Sequence, residues 1–234
     1  MIKAMVFDVD DTLYDLSVPF RRTAEEVFPG EKLDLYGTFL ASRKYGDQVY
    51  AQSFRGEMSL RDMYIYRYQN AFADFGKKID AETALKFQAV YERKQQEICM
   101  TEGMERMLEC LGKKVKLGII TNGPAQHQWD KVHALGAERW IPMEHILISG
   151  EEGVAKPDKE IFERAEKRLG LRPEELCYVG DSYGNDILGA KRAGWKAVWY
   201  NHRGHQAGKE VTPDAVVDRE TELAELLGRM ADGG

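Results

Sequence analysis

The sequence predicts an α/β protein: a Rossmann-like, doubly wound parallel sheet with an all-helical domain inserted near its start. Residues 3–7 are apolar apart from Lys3 and run directly into Asp8, as a buried parallel strand does at its carboxyl end. Beyond residue 100, short apolar runs alternate with amphipathic helical segments, which is typical of a parallel sheet covered on both faces. Residues 17–100 carry helical periodicity instead.

The elements of the sheet domain follow from the spacing of the apolar residues. Short apolar runs predict strands at 3–7, 115–120, 146–148, 176–179, 197–200 and 215–217. Amphipathic spacing predicts helices at 105–111, 125–135, 159–169, 186–193 and about 220–230. Two of these helices are followed by a glycine, Gly170 and Gly194, which favours a helix end there. The polar, glycine-containing stretch 202–213 is predicted to be a long loop.

The inserted segment is predicted to form about four helices. Ser59, with Asp62 three residues further on, marks one helix start, and Asp80 precedes another. Because the first strand precedes this segment and the other strands follow it, we expect one domain of residues 1–15 and 101–234 and a second of residues 16–100.

Composition and charge limit the possible functions. The chain has 234 residues, a formal net charge of −6 and 43% hydrophobic residues, as ordinary globular proteins do. Its three cysteines contain no CxxC pair, which favours a reducing, cytoplasmic setting. No apolar run approaches the roughly 18 residues of a membrane span, so we expect no membrane partner. Because negative charge repels phosphate backbones, we expect a small molecule and not a nucleic-acid polymer.

Polar side chains follow four of the predicted strands. They are Asp8, Asp10, Asp11 and Thr12; Thr121 and Asn122; Ser149, with Lys156 slightly beyond; and Asp181 through Asp186. In doubly wound sheets the ligand lies outside the carboxyl ends of the strands, so these groups are expected to converge. Closely packed carboxylates cannot all stay ionised without a cation, and Mg²⁺ prefers oxygen ligands that include substrate phosphate. Lys156 and Thr121 would then serve the remaining phosphate oxygens.

The order of these residues resembles that of the haloacid dehalogenase superfamily of phosphohydrolases. The matching elements are the D-x-D-x-T run from Asp8 to Thr12, the strand-terminal Thr121, the isolated Lys156 and the G-D-x-x-x-x-D run that begins at Gly180. The helical insertion lies between the first two, as in members with an α-helical, C1-type cap. The resemblance extends over nearly the whole chain, and it implies a phosphatase whose second domain is that cap.

The resemblance implies a role for each acidic residue. The Asp8 carboxylate would attack phosphorus and become an aspartyl-phosphate, which water then hydrolyses. Asp10 would protonate the leaving oxygen and later activate that water; residues two apart on an extended strand share a face. Asp8, the backbone carbonyl of Asp10 and Asp181 would hold Mg²⁺. Asp186 would fix Lys156 or a water molecule.

The same resemblance implies that Thr121, Asn122 and Lys156 bind the transferred phosphoryl group. Asp11 is interpreted as a structural turn residue. Cys177, in an apolar strand, is interpreted as a small buried hydrophobe.

Several alternatives stay open on the sequence. Dehalogenases of the superfamily lack the second aspartate of the first motif, so Asp10 favours phosphoryl transfer. A phosphosugar mutase or another phosphotransferase of the family has the same core residues. Outside this class, a receiver-like signalling module also combines a phosphorylated aspartate with a metal pocket and a lysine. A binding protein on an inactive phosphatase scaffold is a further alternative, although no key residue is missing.

The cap is expected to determine the substrate. Candidate contacts are Tyr14, just past the first motif, and Arg43, Tyr45 and Gln48 in the second helical region. The leading prediction is a small phosphomonoester, with a nucleoside 5′-monophosphate slightly ahead of a sugar phosphate, and the protein is expected to act as a monomer or dimer.

Overall fold

A computed structural model describes residues 1–233 of the chain. The chain divides into two compact units. Residues 1–15 and the chain from residue 98 onward form the first unit, and residues 16–97 form the second. None of the helices in the described part of the chain combines the length and the apolar character that crossing a bilayer requires.

One six-stranded sheet forms the centre of the first unit. Its strands are β1 (Ala4–Phe7), β2 (Lys116–Thr121), β3 (Ile146–Ile148), β4 (Leu176–Gly180), β5 (Lys196–Tyr200) and β6 (Ala215–Val217). The spatial order is β3-β2-β1-β4-β5-β6, and every neighbouring pair is parallel. The strand order reverses between β1 and β4, so the carboxyl ends of these two strands flank the crevice where such sheets bind ligands. The predicted doubly wound parallel sheet is confirmed.

Ten α-helices occur in residues 1–233. The second unit contains α1 (Ser17–Val27), α2 (Leu35–Phe54), α3 (Leu60–Asp74) and α4 (Ala81–Gln95). The first unit contains α5 (Glu102–Gly112), α6 (Ala125–Leu135), α7 (Ser149–Glu152), α8 (Lys159–Leu169), α9 (Leu188–Arg192) and α10 (Glu220–Asp232). Helix α5 starts three residues before the predicted position, because the Thr101 hydroxyl accepts a hydrogen bond from the Met104 N–H and caps the helix there.

The sheet is buried because its strands are apolar. All four residues of β1 and all five of β4 are buried. On one face, Phe162 of α8 packs edge-on against Tyr178 of β4 and Trp195, with ring centroids 5.4 Å apart in both pairs. Gly189 of α9 lies against the same ring, and a Cβ there would lie 2.6 Å from a carbon of Phe162. This close packing holds α8 and α9 against the sheet at β4.

The second unit is a helical bundle with an aromatic core. Phe20, Phe72 and Phe87 are fully buried, and the ring of Phe87 lies 5.1 Å from Phe20 and 5.2 Å from Phe72. Burial of each such side chain contributes roughly 1.5–3 kcal/mol. The predicted helix starts are present: Ser59 accepts a hydrogen bond from the Asp62 N–H, and Asp80 accepts one from the Thr83 N–H. Residues 16–97, all of them described, contain no strand.

Candidate active site

Three buried aspartates meet at the carboxyl ends of β1 and β4. Asp8 directly follows β1, Asp181 directly follows β4, and Asp186 lies one turn further along the chain. One carboxylate oxygen of each lies within 4.8 Å of the others. The Asp8 N–H donates to the Val179 carbonyl, which continues the β1–β4 pairing up to the first of these residues. The sheet therefore brings together side chains that are more than 170 positions apart in the chain.

Lys156 lies inside this acidic cluster. Its ammonium nitrogen is 2.6 Å from Asp8 Oδ1 and 2.7 Å from Asp186 Oδ1, and its side chain is 2% exposed. It also donates to the Tyr178 hydroxyl at 2.8 Å, and that hydroxyl donates to the Ile120 carbonyl at 2.6 Å. Each of the three ammonium protons thus has an acceptor, which a buried lysine requires.

The Asn122 amide holds the backbone of Lys156. Its nitrogen donates to the Lys156 carbonyl, its oxygen accepts from the Lys156 N–H, and both distances are 2.9 Å. Because the amide is engaged in this way, a phosphate contact of Asn122 stays a prediction for its backbone N–H. The residue directly after β2 therefore places Lys156, which is isolated in the sequence.

The buried charges shift each other's pKa. Burial, together with the negative charges of Asp186 and Asp10, raises the pKa of Asp8 to about 6 despite the opposing effect of Lys156. For Lys156, burial acts against the charged form, but Asp186 and Asp8 outweigh it and hold the pKa of Lys156 well above its ordinary value. The lysine is therefore a permanent cation, whereas Asp8 is a carboxylate that a second cation would help to ionise.

Gly180 and the turn after it place Asp186. A Cβ at Gly180 would lie 2.2 Å from Asp186 Oδ2, so only glycine allows this approach. The same oxygen accepts a hydrogen bond from the Ser182 N–H at 2.9 Å. Asp186 lies in a π-helical turn, Tyr183–Ile187, and α9 follows directly after that turn. Helical structure therefore begins three residues before the predicted start at residue 186, and its first turn is the wider π-helix.

The carboxylate of Asp10 is held by three side chains. The Lys131 ammonium is 2.8 Å from both Oδ1 and Oδ2, the Gln128 amide donates to Oδ2 at 3.0 Å, and the Tyr14 hydroxyl donates to Oδ1 at 2.6 Å. Gln128 also donates to the Asn122 carbonyl at 2.7 Å. Lys131 and Gln128 are 4% and 2% exposed. We call these three residues the Asp10 clamp.

Two residues of the clamp, Gln128 and Lys131, were not predicted from the sequence, and the third, Tyr14, was predicted in another role. Gln128 and Lys131 are three residues apart on α6 and so share one face of that helix. The sequence indicates their burial in one way: both lie on the helix face that also carries the apolar residues Val132 and Leu135. Tyr14 was predicted to contact substrate, but it is 6% exposed and its hydroxyl is bonded to Asp10.

Two buried hydroxyl groups beside the aspartates lack a hydrogen-bond partner. They are the Oγ1 atoms of Thr121 and Thr12, which find none among the described residues. A buried hydroxyl without a partner costs about 1–3 kcal/mol, so such groups point to a ligand that completes them. Thr121 ends β2, at the edge of the sheet where the aspartates lie. An anionic ligand with several oxygen acceptors fits that position.

Asp11 is structural, as interpreted from the sequence. Its backbone is in the left-handed region, with φ at 62°, and its carboxylate is buried. Arg203 donates to both of its oxygens, from Nε at 3.2 Å and from Nη2 at 2.7 Å, and also pairs with Asp15. His202 Nε2 lies 2.9 Å from the Asp11 carbonyl oxygen. The loop after β5 thus fixes the turn that follows Asp10.

The other predicted substrate contacts lie in α2 of the second unit. Arg43 is half-buried, the Tyr45 hydroxyl donates to Asp74 at 3.0 Å, and the exposed Gln48 accepts from the Tyr66 hydroxyl at 3.2 Å. Tyr45 and Gln48 therefore have partners within that unit. A contact of any of the three with substrate stays a prediction.

Known proteins resemble this chain over most of its length. Residues 2–194 match the family model described as haloacid dehalogenase-like hydrolase. A glyceraldehyde 3-phosphate phosphatase of Methanopyrus kandleri is 30% identical, and the alignment covers 99% of each chain. A pyrimidine 5′-nucleotidase of Escherichia coli is also 30% identical, over 67% of this chain and 69% of its own.

A solved structure of a HAD hydrolase from Bacillus subtilis has a similar fold. It superimposes with a TM-score of 0.74 over 97% of this chain and 98% of its own, at 23% identity. That structure is bound to magnesium and reveals a movement between its domains. At that identity, the likeness concerns the fold alone.

Proposed function

Since the chain belongs to the haloacid dehalogenase-like hydrolases and a relative that aligns over nearly its whole length is a phosphatase, we propose that it hydrolyses small phosphomonoesters with Mg²⁺ through a phosphorylated Asp8. The observation that carries this proposal is the buried contact of Lys156 with Asp8 and Asp186, next to the unpartnered hydroxyl of Thr121. A nucleophile, a fixed cation and a hydrogen-bond donor occupy one edge of the sheet, as phosphoryl transfer requires.

The donor set fits a hard divalent cation. Oxygens of Asp8 and Asp181 are within 4.8 Å of each other, and Mg²⁺ is typically held by one or two carboxylates together with substrate phosphate. Asp8, Asp181 and the backbone carbonyl of Asp10 would hold the ion. Asp186 serves a different purpose, since its two oxygens are bonded to Lys156 and Ser182. When bound, Mg²⁺ neutralises charge on the nucleophile and on the phosphoryl oxygens.

The reaction has two steps in this proposal. An oxygen of Asp8 attacks phosphorus, the bond from phosphorus to the ester oxygen breaks, and Asp10 gives its proton to the leaving alcohol. Asp10, now a carboxylate, then takes a proton from water as the water oxygen attacks the phosphorus of the aspartyl-phosphate. Inorganic phosphate leaves and Asp8 is regenerated. Dividing one hard displacement into two lowers the barrier of each.

The phosphoryl group is bound by Thr121, the backbone N–H of Asn122, and Lys156. The Thr121 hydroxyl is buried and available to donate. Lys156 cannot move away easily, because Tyr178 and Asp186 hold its ammonium and Asn122 holds its backbone. Preorganised donors of this kind stabilise charge in the transition state without reorganising during the reaction.

The substrate is proposed to be a sugar-type phosphate, trioses included, ahead of a nucleoside 5′-monophosphate. The relative that acts on glyceraldehyde 3-phosphate aligns over 99% of both chains, whereas the nucleotidase aligns over 67% of this one. Because of this difference in coverage, we place a sugar phosphate first, whereas the sequence alone put a nucleoside 5′-monophosphate slightly ahead of it.

A phosphate-release panel tests the proposal. The full chain is assayed with Mg²⁺ against triose, pentose and hexose phosphates and nucleoside 5′-monophosphates, with Asp8→Asn as the matched inactive control. We expect release from at least one class, its loss in Asp8→Asn and its reversible loss with a chelator. Folded wild-type protein that releases phosphate from none of them would overturn the proposal. Activity that persists in purified Asp8→Asn would overturn the assignment of the nucleophile.

A further inference from the structure

The Asp10 clamp is an unusual use of buried side chains. Lys131 of α6 is 4% exposed, and lysine is rarely buried unless its charge is paired. Its ammonium lies 2.8 Å from both oxygens of Asp10, and Gln128 approaches one of them at 3.0 Å. Two long side chains therefore lose conformational entropy in order to hold the short carboxylate of Asp10.

We propose that Lys131, supported by Gln128, is a positioning residue that fixes the Asp10 carboxylate for proton exchange with the leaving alcohol. This inference rests on the proposed function, in which Asp10 is the general acid and base. Lys131 acts through Asp10 and has no contact with the reacting phosphoryl group in this proposal.

The geometry of Gln128 links the clamp to the phosphate side of the site. Its amide nitrogen donates both to Asp10 and to the Asn122 carbonyl, at 3.0 Å and 2.7 Å. Both partners are acceptors, so the amide cannot be flipped without losing both hydrogen bonds. Gly123 makes room for it, because a Cβ there would lie 2.7 Å from the Gln128 nitrogen. The turn that presents Thr121 and Asn122 is thereby tied to the general acid.

The bidentate contact of Lys131 restricts the rotation of the carboxylate. An aspartate with one partner can turn about its last torsion, which is broad for carboxylates. Bonds to both oxygens from one ammonium, with Gln128 and Tyr14 on either side, confine that torsion in the ionised group. When one oxygen carries the proton, a donor to that oxygen must give way, and the donors to the other oxygen still hold the group in place. Proton transfer needs the acid within hydrogen-bond distance of the leaving oxygen, so loss of the clamp should lower the rate where that transfer matters.

The way kcat/KM depends on the leaving group distinguishes a positioning role of Lys131 from a general structural role. An alkyl alcohol is a poor leaving group and needs its proton, whereas p-nitrophenolate leaves readily without one. A misplaced Asp10 therefore slows the first step with an alkyl phosphate far more than with p-nitrophenyl phosphate. A disturbed fold, by contrast, lowers kcat/KM for both substrates to the same extent.

The experiment compares kcat/KM for glycerol 1-phosphate and p-nitrophenyl phosphate, with Mg²⁺, in full-length wild type, Lys131→Met, Lys131→Arg and Gln128→Met. Gln126→Met, an exposed position on the same helix, is the matched control. General acid–base catalysis contributes about 10²–10⁴-fold, so Lys131→Met is expected to lose about 100-fold on the alkyl phosphate and under about fivefold on the aryl phosphate. We expect the loss to be in kcat, with KM changed little, and Lys131→Arg to recover part of it.

The outcomes discriminate between the inferences. An equal loss on the two substrates, or no loss on the alkyl phosphate, would overturn the positioning role. If Lys131→Met does not fold, Gln128→Met decides, with a smaller loss of the same selectivity expected. A wild-type protein that is inactive on both substrates, and on the panel above, refutes the proposed function itself.

Discussion

Replacing Lys156 with methionine is the sharpest test of the buried charge cluster. The substitution keeps the length of the side chain and removes its ammonium, which lies 2.6 Å from Asp8, 2.7 Å from Asp186 and 2.8 Å from the Tyr178 hydroxyl. Two carboxylates are then left buried together without their common cation. Removing one partner of a buried ion pair destabilises a protein by about 3–5 kcal/mol.

The upper limit of this cost follows from protonation. The variant can neutralise one carboxyl, and protonating a group whose ordinary pKa is near 4 costs about 5 kcal/mol at pH 7.5, at 1.36 kcal/mol per pH unit. At pH 5 the same protonation costs only about 1.4 kcal/mol. The pKa of Asp8 is already raised to about 6 in the wild-type protein, which lowers the cost at pH 5 further. The penalty should thus shrink as the pH falls.

The assay is unfolding of the chelator-treated protein by heat and by urea at pH 7.5 and pH 5. For a chain of this length, about 3–5 kcal/mol corresponds to a melting temperature lower by roughly 10 °C. Lys159→Met, at an exposed position of α8, is the matched control and should cost under about 0.5 kcal/mol. A penalty for Lys156→Met below about 1 kcal/mol at pH 7.5, or one that does not change with pH, would refute the reasoning.

Three further predictions concern the surroundings of the cluster. Gly180→Ala should cost about 1–3 kcal/mol in urea unfolding, because its Cβ would lie 2.2 Å from Asp186 Oδ2; an unchanged stability would contradict this close approach. Because Mg²⁺ needs the ionised form of Asp8, whose pKa is raised to about 6, the Mg²⁺ affinity measured by calorimetry should weaken about tenfold per pH unit below pH 6 and stay level above it. An affinity that does not change between pH 7 and pH 5 would exclude Asp8 as a ligand. Arg203→Met should destabilise the protein by about 3 kcal/mol, since it leaves the buried Asp11 carboxylate without its guanidinium, and a melting temperature equal to wild type would count against this role.

The parallel sheet could be predicted from the sequence because its signal is local. Each strand is a short apolar run, and β1 and β4 are each followed directly by an aspartate, which burial of the strand alone does not explain. Once strands are known to be parallel, their carboxyl ends must meet at one edge. That rule brings Asp8 and Asp181 together without any knowledge of the loops between them.

The Asp10 clamp could not be predicted in the same way. Gln128 and Lys131 are polar residues three apart on a helix, a pattern that solvent-facing surfaces share. Whether that face meets water or a carboxylate depends on how α6 packs after β2, which is a tertiary property. Tyr178 presents the same difficulty, since its ring belongs to the apolar strand β4 while its hydroxyl joins Lys156 to the Ile120 carbonyl.

The charges at this edge of the sheet indicate how an acidic protein would bind the phosphate of the proposed substrate. This edge carries four aspartates, Asp8, Asp10, Asp181 and Asp186, and two ammonium groups, those of Lys156 and Lys131. Fully ionised, this set has a net charge of −2, and it therefore repels a phosphate dianion as it stands. One divalent cation brings the set to neutrality. The charge of Lys156 is already balanced by Asp8 and Asp186 and that of Lys131 by Asp10, so neither lysine supplies the missing positive charge. On the proposed function, phosphate binding at this site would therefore depend on the cation and very little on the net charge of the whole chain.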